Sequence, residues 1–196
     1  VTATMESKSS MGLVVAAPTA GSCGVLPGTC LATAEFLGLD EDDVVKALLA
    51  AGVIGVFIAR GATFSAEIGG CQAECGSASG MSAAGLVTLA GGSLEQAIAA
   101  ASMALQSSLG MICDPIANRV EAPCLGKNTL AAANALAAAN MALAGFDPLI
   151  PFDEVVVVMD QVGRSLPHAL RCTGLGGLSV TKTSREIEER LKQARK

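Results

Sequence analysis

The sequence predicts an all-α fold, a compact bundle of largely buried helices whose glycine- and proline-rich loops carry the reactive cysteines. Three observations lead there. Apolar residues recur at helical spacing, as at Val155, Val158, Met159 and Val162, and no convincing strand alternation or internal repeat appears. Helix starts and stops punctuate the chain at intervals that suit helices. Hydrophobic residues make up 51% of the chain but aromatics only 3%, with no Trp or Tyr. The core must then be built from Ala, Leu, Val, Ile and Met, which suits helices packed closely on small residues. At 196 residues, one well-cored domain is expected.

Taken in order, Met11–Ala17 is a short apolar run ending at Pro18. Thr19, Ala20, Gly21 and Ser22 follow in a loop of small residues, which either wraps a small anion with its backbone N–H groups or simply joins two helices. The acidic run Asp40–Asp43 suits a helix N-terminus. The helix it opens, reaching about Ala59, is apolar nearly all round and is expected to be deeply buried. Residues 61–80 are rich in Gly, Ser, Ala and Cys and precede a helix from about Met81 to Leu89, broken by Gly91-Gly92. Ser93 and Gln96 form a capping box for a helix over about 94–109. An irregular stretch, 110–127, leads to an Ala-rich helix over 128–144, ended by Gly145 and Pro148. Asp153 is placed to cap the next helix, despite its run of valines. A glycine turn at 174–178 and a charged helix over 184–196 close the chain.

Bulk properties exclude several functions. The net charge is −5 with no basic stripe, so nucleic acid is not an expected partner. Mean hydropathy is high, at +0.52. The longest uncharged apolar run, Ala47–Ala59, is nevertheless short of the roughly 20 residues that cross a bilayer. The hydrophobicity therefore reads as buried helix plus surface covered by a partner, not as a membrane span. No secretory leader is visible, and the seven cysteines are odd in number without compact disulfide spacing, which points to a reducing cytoplasm. The polar opening, Val1-Thr2-Ala3-Thr4, suggests a piece of something longer.

The cysteines carry the candidate chemistry. Cys71 follows Gly69-Gly70, Cys113 precedes Asp114-Pro115, and Cys124 follows Pro123, so all three sit beside backbone irregularity. Bent chain can bring thiolates from distant segments together, and three ligands would leave a metal position open to substrate. The plain alternative is that they fill the core, the reading given to Cys23, Cys30 and Cys172. Cys71 and Cys75 form a C-x₃-C pair that shares a face if helical, but no companion pair exists downstream. Glu67 and Glu74 bracket Cys71; a buried one of them can act as a base, and the plain alternative is a hydrogen-bonded or partner-facing carboxylate. Lys127 and Asn128 can orient a carboxylate or merely open a helix. The lone histidine, His168, reads as structural.

The segments 17–22 (Ala-Pro-Thr-Ala-Gly-Ser), 69–74 (Gly-Gly-Cys-Gln-Ala-Glu), 113–117 (Cys-Asp-Pro-Ile-Ala), 120–124 (Val-Glu-Ala-Pro-Cys) and 170–178 (Leu-Arg-Cys-Thr-Gly-Leu-Gly-Gly-Leu) together resemble the α chain of the bacterial iron–sulfur L-serine dehydratases, over nearly the whole chain. The resemblance implies a [4Fe–4S] cluster on Cys71, Cys113 and Cys124, whose separations of 42 and 11 residues agree with the family pattern. It implies an all-helical catalytic unit that works with a β chain or β domain on L-serine, in an oligomer. Cys75 matches no ligand position and is left structural. Family α chains extend further at the N-terminal side, so the chain reads as a single α-type catalytic domain, residues 1–196, lacking an N-terminal segment. Some fused members end in a cysteine able to occupy the open iron, and Gln193-Ala194-Arg195-Lys196 offers none.

The implied reaction is loss of water from L-serine, giving pyruvate and ammonia without pyridoxal phosphate. The open iron would act on the hydroxyl, and the Thr19–Ser22 loop would hold the substrate carboxylate. The base is unassigned. Competing readings are a cluster-dependent L-cysteine desulfidase and a non-catalytic helical assembly module with structural cysteines.

Overall fold

The computed structural model describes residues 1–117, 119 and 121–194. Val120, part of one motif above, and the terminal Arg195 and Lys196 lie outside the described residues. Within them the fold is all-α, as expected. Its helices are α1 (Thr2–Ser9), α2 (Val25–Leu37), α3 (Glu41–Gly61), α4 (Ala66–Gly69), α5 (Ser77–Leu89), α6 (Leu94–Gln106), α7 (Glu121–Leu143), α8 (Phe152–Ser165) and α9 (Lys182–Gln193). A π-helical turn, Gln72–Gly76, runs straight into α5.

α5 is the axis of the bundle. Every residue in it except Thr88 is buried, and α2, α3, α6 and α7 all pack against it. Its sequence, Ser-Ala-Ser-Gly-Met-Ser-Ala-Ala-Gly, is small enough to let four neighbours approach. Polar stitches cross this packing. Ser79 Oγ donates to Ala131 O at 2.8 Å, and Asn134 Nδ2 donates to Ser79 Oγ at 2.9 Å and Ala104 O at 2.8 Å, tying α5, α6 and α7 together.

Several boundaries differ from the sequence expectation. α5 begins at Ser77 and its helical lead-in at Gln72, not at Met81. Glycine and serine disfavour exposed helix, but here burial removes water as a competitor for the backbone. α7 begins at Glu121, seven residues before the expected Asn128. Pro123 falls in its first turn, where its missing N–H costs no intrahelical bond. Cys124 is therefore in the first turns of a helix and not in a proline-bent loop. α8 is preceded by Pro151 without a side-chain cap, and Asp153 lies in its first turn. There it favours the helix through the dipole instead. The Ser93–Gln96 capping box is present as expected.

α3 is not buried all round. Ala47, Ala51, Ile54, Gly55 and Ile58 face the core, whereas Val45, Leu49, Val53, Val56 and Phe57 are exposed. By length and composition this helix is long and apolar enough to cross a membrane, unlike the shorter run counted above. One of its faces is nevertheless committed to α5, α2 and α8.

Gln72 links the site to the frame. It is fully buried; its Nε2 donates to Met159 O at 2.7 Å and its Oε1 accepts from Gly110 N at 2.8 Å. Replacing it with leucine removes both bonds, one of them to buried Met159. Gln72→Leu is expected to lower the unfolding free energy by about 2–4 kcal/mol, read by urea denaturation of the reduced chain, and an unchanged midpoint would contradict this role.

Candidate active site

Three remote segments meet beside the start of the π turn. Gly70, the residue before Cys71, has φ +72°, and a Cβ there would lie 2.7 Å from Met111 O. Glycine is thus needed for the close approach that also lets Gln72 N donate to Met111 O at 3.1 Å. This contact brings the 111–117 segment, with Cys113, against Cys71. Cys113 in turn pairs with the 170–172 segment: its N–H donates to Leu170 O, and Cys172 N donates to Cys113 O, both at 2.9 Å. Cys124 comes from the first turns of α7.

Cys71 and Cys113 pack in one buried cluster with Cys172 at its edge, Cys124 packs beside it with Met5 and Cys23, and the Cys71 thiol feels both Cys113 and Cys124. Cys71, Cys113 and Cys124 are buried, and Cys172 is partly so. Among the described residues no three His, Cys, Asp or Glu side chains are arranged as ligands of a single metal ion. The neighbouring Cys113 thiol is the main cause raising the Cys71 thiol far above its ordinary pKa; Cys71 and then burial do the same to Cys124. Cys75 stands apart. The wide π turn separates it from Cys71, and it packs with Val25, Ala78 and Ala131, where burial pushes its thiol up to about 12.

A cation and an amide hold this junction. Lys127 Nζ donates to Asp114 Oδ1 at 2.6 Å and to Ile112 O at 2.7 Å. Burial works against its ammonium form, but Cys71, Asp114 and Cys113 outweigh burial and its pKa is raised. Asp114 Oδ2 also accepts from Leu178 N at 2.9 Å. Gly177, at φ +59°, makes this possible, since a Cβ there would lie 2.7 Å from the Asp114 Cβ. Lys127 is thus already engaged inside the protein. Asn128 Nδ2 donates to Cys124 O at 2.8 Å and Gly21 O at 2.9 Å, and lies 3.7 Å from Cys75 Sγ. It joins the Thr19–Ser22 loop to the cysteine-bearing end of α7.

That loop is a 3₁₀ turn, Ala20–Ser22, with a capping box between Thr19 and Ser22. Its carboxylate neighbour is internal. Thr19 Oγ1 donates to Glu74 Oε1 at 2.8 Å, and a Cβ on Gly21 would lie 2.7 Å from both Glu74 oxygens. Burial is the main cause raising the Glu74 pKa, partly opposed by the Thr19 bond. Glu67, by contrast, is exposed and held below its ordinary value by the Ser65 hydroxyl. His168 is exposed at the start of a 3₁₀ turn.

Sequence reasoning missed two contributors. Cys172 was assigned to the core yet lies against Cys113; its place in the 170–178 motif was the available signal. Lys8 was not singled out at all. Its Nζ is buried, and its charge acts on Cys23, Glu74, Cys75 and Cys124. Nothing in the polar run Glu6–Ser10 distinguishes it from a solvated lysine.

A carboxyl whose folded pKa is raised binds its proton more tightly in the native state. Its stabilising contribution is complete below the ordinary value of 4.5 and is lost as pH rises through the folded pKa. Glu74→Gln is therefore expected to be more stable than the parent at pH 7, with the difference shrinking toward pH 4. Paired denaturation midpoints across that range test this, and a pH-independent difference would refute it.

The family model for serine dehydratase alpha chains matches residues 1–179. The chain is 48% identical to a probable L-serine dehydratase alpha chain of Bacillus subtilis over 189 residues, 96% of this chain and 63% of that protein. It is 49% identical to the L-serine dehydratase alpha chain of Peptoniphilus asaccharolyticus over 184 residues, 94% of this chain and again 63% of the relative. L-serine dehydratase 1 of Escherichia coli is 37% identical over 177 residues, 89% of this chain and 39% of that longer protein. The chain thus spans a little under two thirds of the first two relatives, and it belongs to the serine dehydratase alpha chain family.

Proposed function

We propose that this chain is the catalytic α part of an L-serine dehydratase, a lyase that converts L-serine to pyruvate and ammonia, with Cys71, Cys113 and Cys124 holding a [4Fe–4S] cluster. The observation that carries the reading is that Cys71, Cys113 and Cys124, 42 and 53 residues apart from Cys71 in sequence, are all buried at one junction: Cys71 and Cys113 share a buried cluster, and the Cys124 thiol is near enough to influence that of Cys71. The donor set fits such a group. Ligands of one ion must converge on a point, whereas those of a cluster attach to separate irons and approach from different sides, as buried thiols supplied by three separate segments can. Lys127 adds a positive charge that offsets thiolates. The similar proteins named above as L-serine dehydratases support the same substrate.

When bound, the cluster supplies a Lewis-acidic iron toward the departing hydroxyl. The chain's own residues do the rest. Glu74 is the proposed base: its raised pKa suits proton abstraction from Cα near neutral pH. Thr19 Oγ1 holds one Glu74 oxygen, and glycine at position 21 lets the carboxylate lie against the 3₁₀ turn. The Thr19, Ala20, Gly21 and Ser22 turn forms the substrate-side wall. Ser22 N is satisfied by Thr19 Oγ1, while the first N–H groups of such a turn have no partner within it. Breaking the Cα–H and Cβ–O bonds yields water and aminoacrylate, which tautomerises and takes up water to give pyruvate and ammonia.

The domain is read as a single α-type unit over residues 1–196 that works with a β chain or β domain in a cytoplasmic assembly. The exposed apolar stripe of α3 supports an assembly of more than one chain. In the presence of a β partner, Cys113→Ala is expected to abolish pyruvate formation from L-serine. Cys30→Ala, whose thiol packs in the main core, is expected to keep most of it. Equal turnover by Cys113→Ala and the parent would sink the assignment.

A further inference from the structure

Three polar atoms near these thiols are buried and lack a hydrogen-bond partner among the described residues: Arg171 Nε beside Cys113 and Cys172, and, toward Cys124, Lys8 Nζ and Asn128 Oδ1, the two taken up below. They are opposite in character, a cationic donor without an acceptor and an acceptor without a donor. Leaving either so is unfavourable, and the cost is greatest for the charge. The orientation of the Asn128 amide is fixed, because its nitrogen faces two carbonyl oxygens, Gly21 O and Cys124 O. Its oxygen is therefore the group left over.

Residue packing brings both residues toward Cys124. Met5, one helical turn before Lys8 on the same face of α1, is buried against Cys23 and Cys124. α1 itself packs on α7, the helix that carries Asn128. The Lys8 charge acts on Cys124 and Cys75, the residues whose carbonyl and thiol touch the Asn128 amide. No ion pair joins Lys8 to Glu74, although the charge of one is felt by the other. The other buried cation at the junction, Lys127, is already bound to Asp114 and Ile112.

We propose that Lys8 and Asn128 form a clamp for the zwitterionic end of an α-amino acid, Lys8 Nζ holding the carboxylate and Asn128 Oδ1 accepting from the ammonium. This rests on the dehydratase reading and deepens it. It assigns the substrate carboxylate to Lys8 instead of the Thr19–Ser22 turn, whose carboxylate neighbour is Glu74. Only a ligand bearing both charges satisfies both orphans, so the clamp selects amino acids over simple hydroxy acids or amines.

L-Alanine and two fragments of it, none able to lose water, read the clamp apart from catalysis. The full chain is titrated by NMR with L-alanine, propionate (no ammonium) and ethylamine (no carboxylate). L-Alanine is expected to bind the parent roughly tenfold or more tighter than either fragment. Lys8→Met is expected to reduce L-alanine to the level of ethylamine, to leave ethylamine unchanged, and not to lower the melting temperature. Lys8→Arg, which keeps the charge, is expected to retain L-alanine binding. Unchanged L-alanine affinity in Lys8→Met would overturn the clamp, as would parallel loss of L-alanine and ethylamine. A parent chain that forms pyruvate from L-serine with its partner but binds L-alanine no better than ethylamine overturns the clamp alone. One that binds L-alanine through Lys8 but makes no pyruvate overturns the dehydratase reading instead.

Discussion

A helix surrounded on all sides admits little larger than alanine where its neighbours come closest, and α5 is built to that constraint. At Gly85 a Cβ would already lie 2.9 Å from Cys30 Sγ, and at Gly80 it would press on Leu105. Because α2, α3, α6 and α7 all close on this axis, the start of α5 is among the most rigidly placed points in the molecule. The π turn that begins just after Cys71 and carries Glu74 runs directly into it. A widened turn of this kind is uncommon and often marks a functional position. Here it directs Cys71 toward the 111–117 segment and sends Cys75 into a separate apolar cluster. Small residues in the centre thus fix the geometry at the edge, where the chemistry lies.

The edge itself is held by a few interactions that each do more than one task. Asp114 accepts both from Lys127 and from the backbone of Leu178, so it ties the Cys113 segment to α7 and to the 177–180 turn together. Asn128 spans the Thr19–Ser22 turn and the carbonyl of Cys124. Gln72 anchors the π turn to α8 and to Gly110. Each segment bearing a reactive residue is therefore fastened to another by a buried hydrogen bond, in the manner of a preorganised site.

Much of this was legible in the sequence, for identifiable reasons. Helical periodicity in α8 and the capping box of α6 are local signals, and local signals survive into the structure. Glycine or proline beside each of three cysteines is the cue that singles them out, and it misleads for Cys124, which lies in the first turns of α7. What escaped the sequence was tertiary. The depth of α3 is overestimated because an apolar helix surface has the same composition whether or not the core of its own chain covers it. The early starts of α5 and α7 were hidden because burial rescues Gly and Ser in the one, and the first-turn position of Pro123 removes its penalty in the other. Lys8 could not be found at all: only the packing of Met5 against Cys23 and Cys124 shows that its face of α1 turns inward.

The central claim is that the thiols of Cys71, Cys113 and Cys124 are a cluster site and not core filling. Iron and acid-labile sulfide, measured per chain after anaerobic purification and reconstitution, test it most directly, together with absorbance near 400 nm. The account predicts about four of each per chain with a brown chromophore. A chain that folds, keeps its seven thiols reduced and still takes up no iron would contradict it.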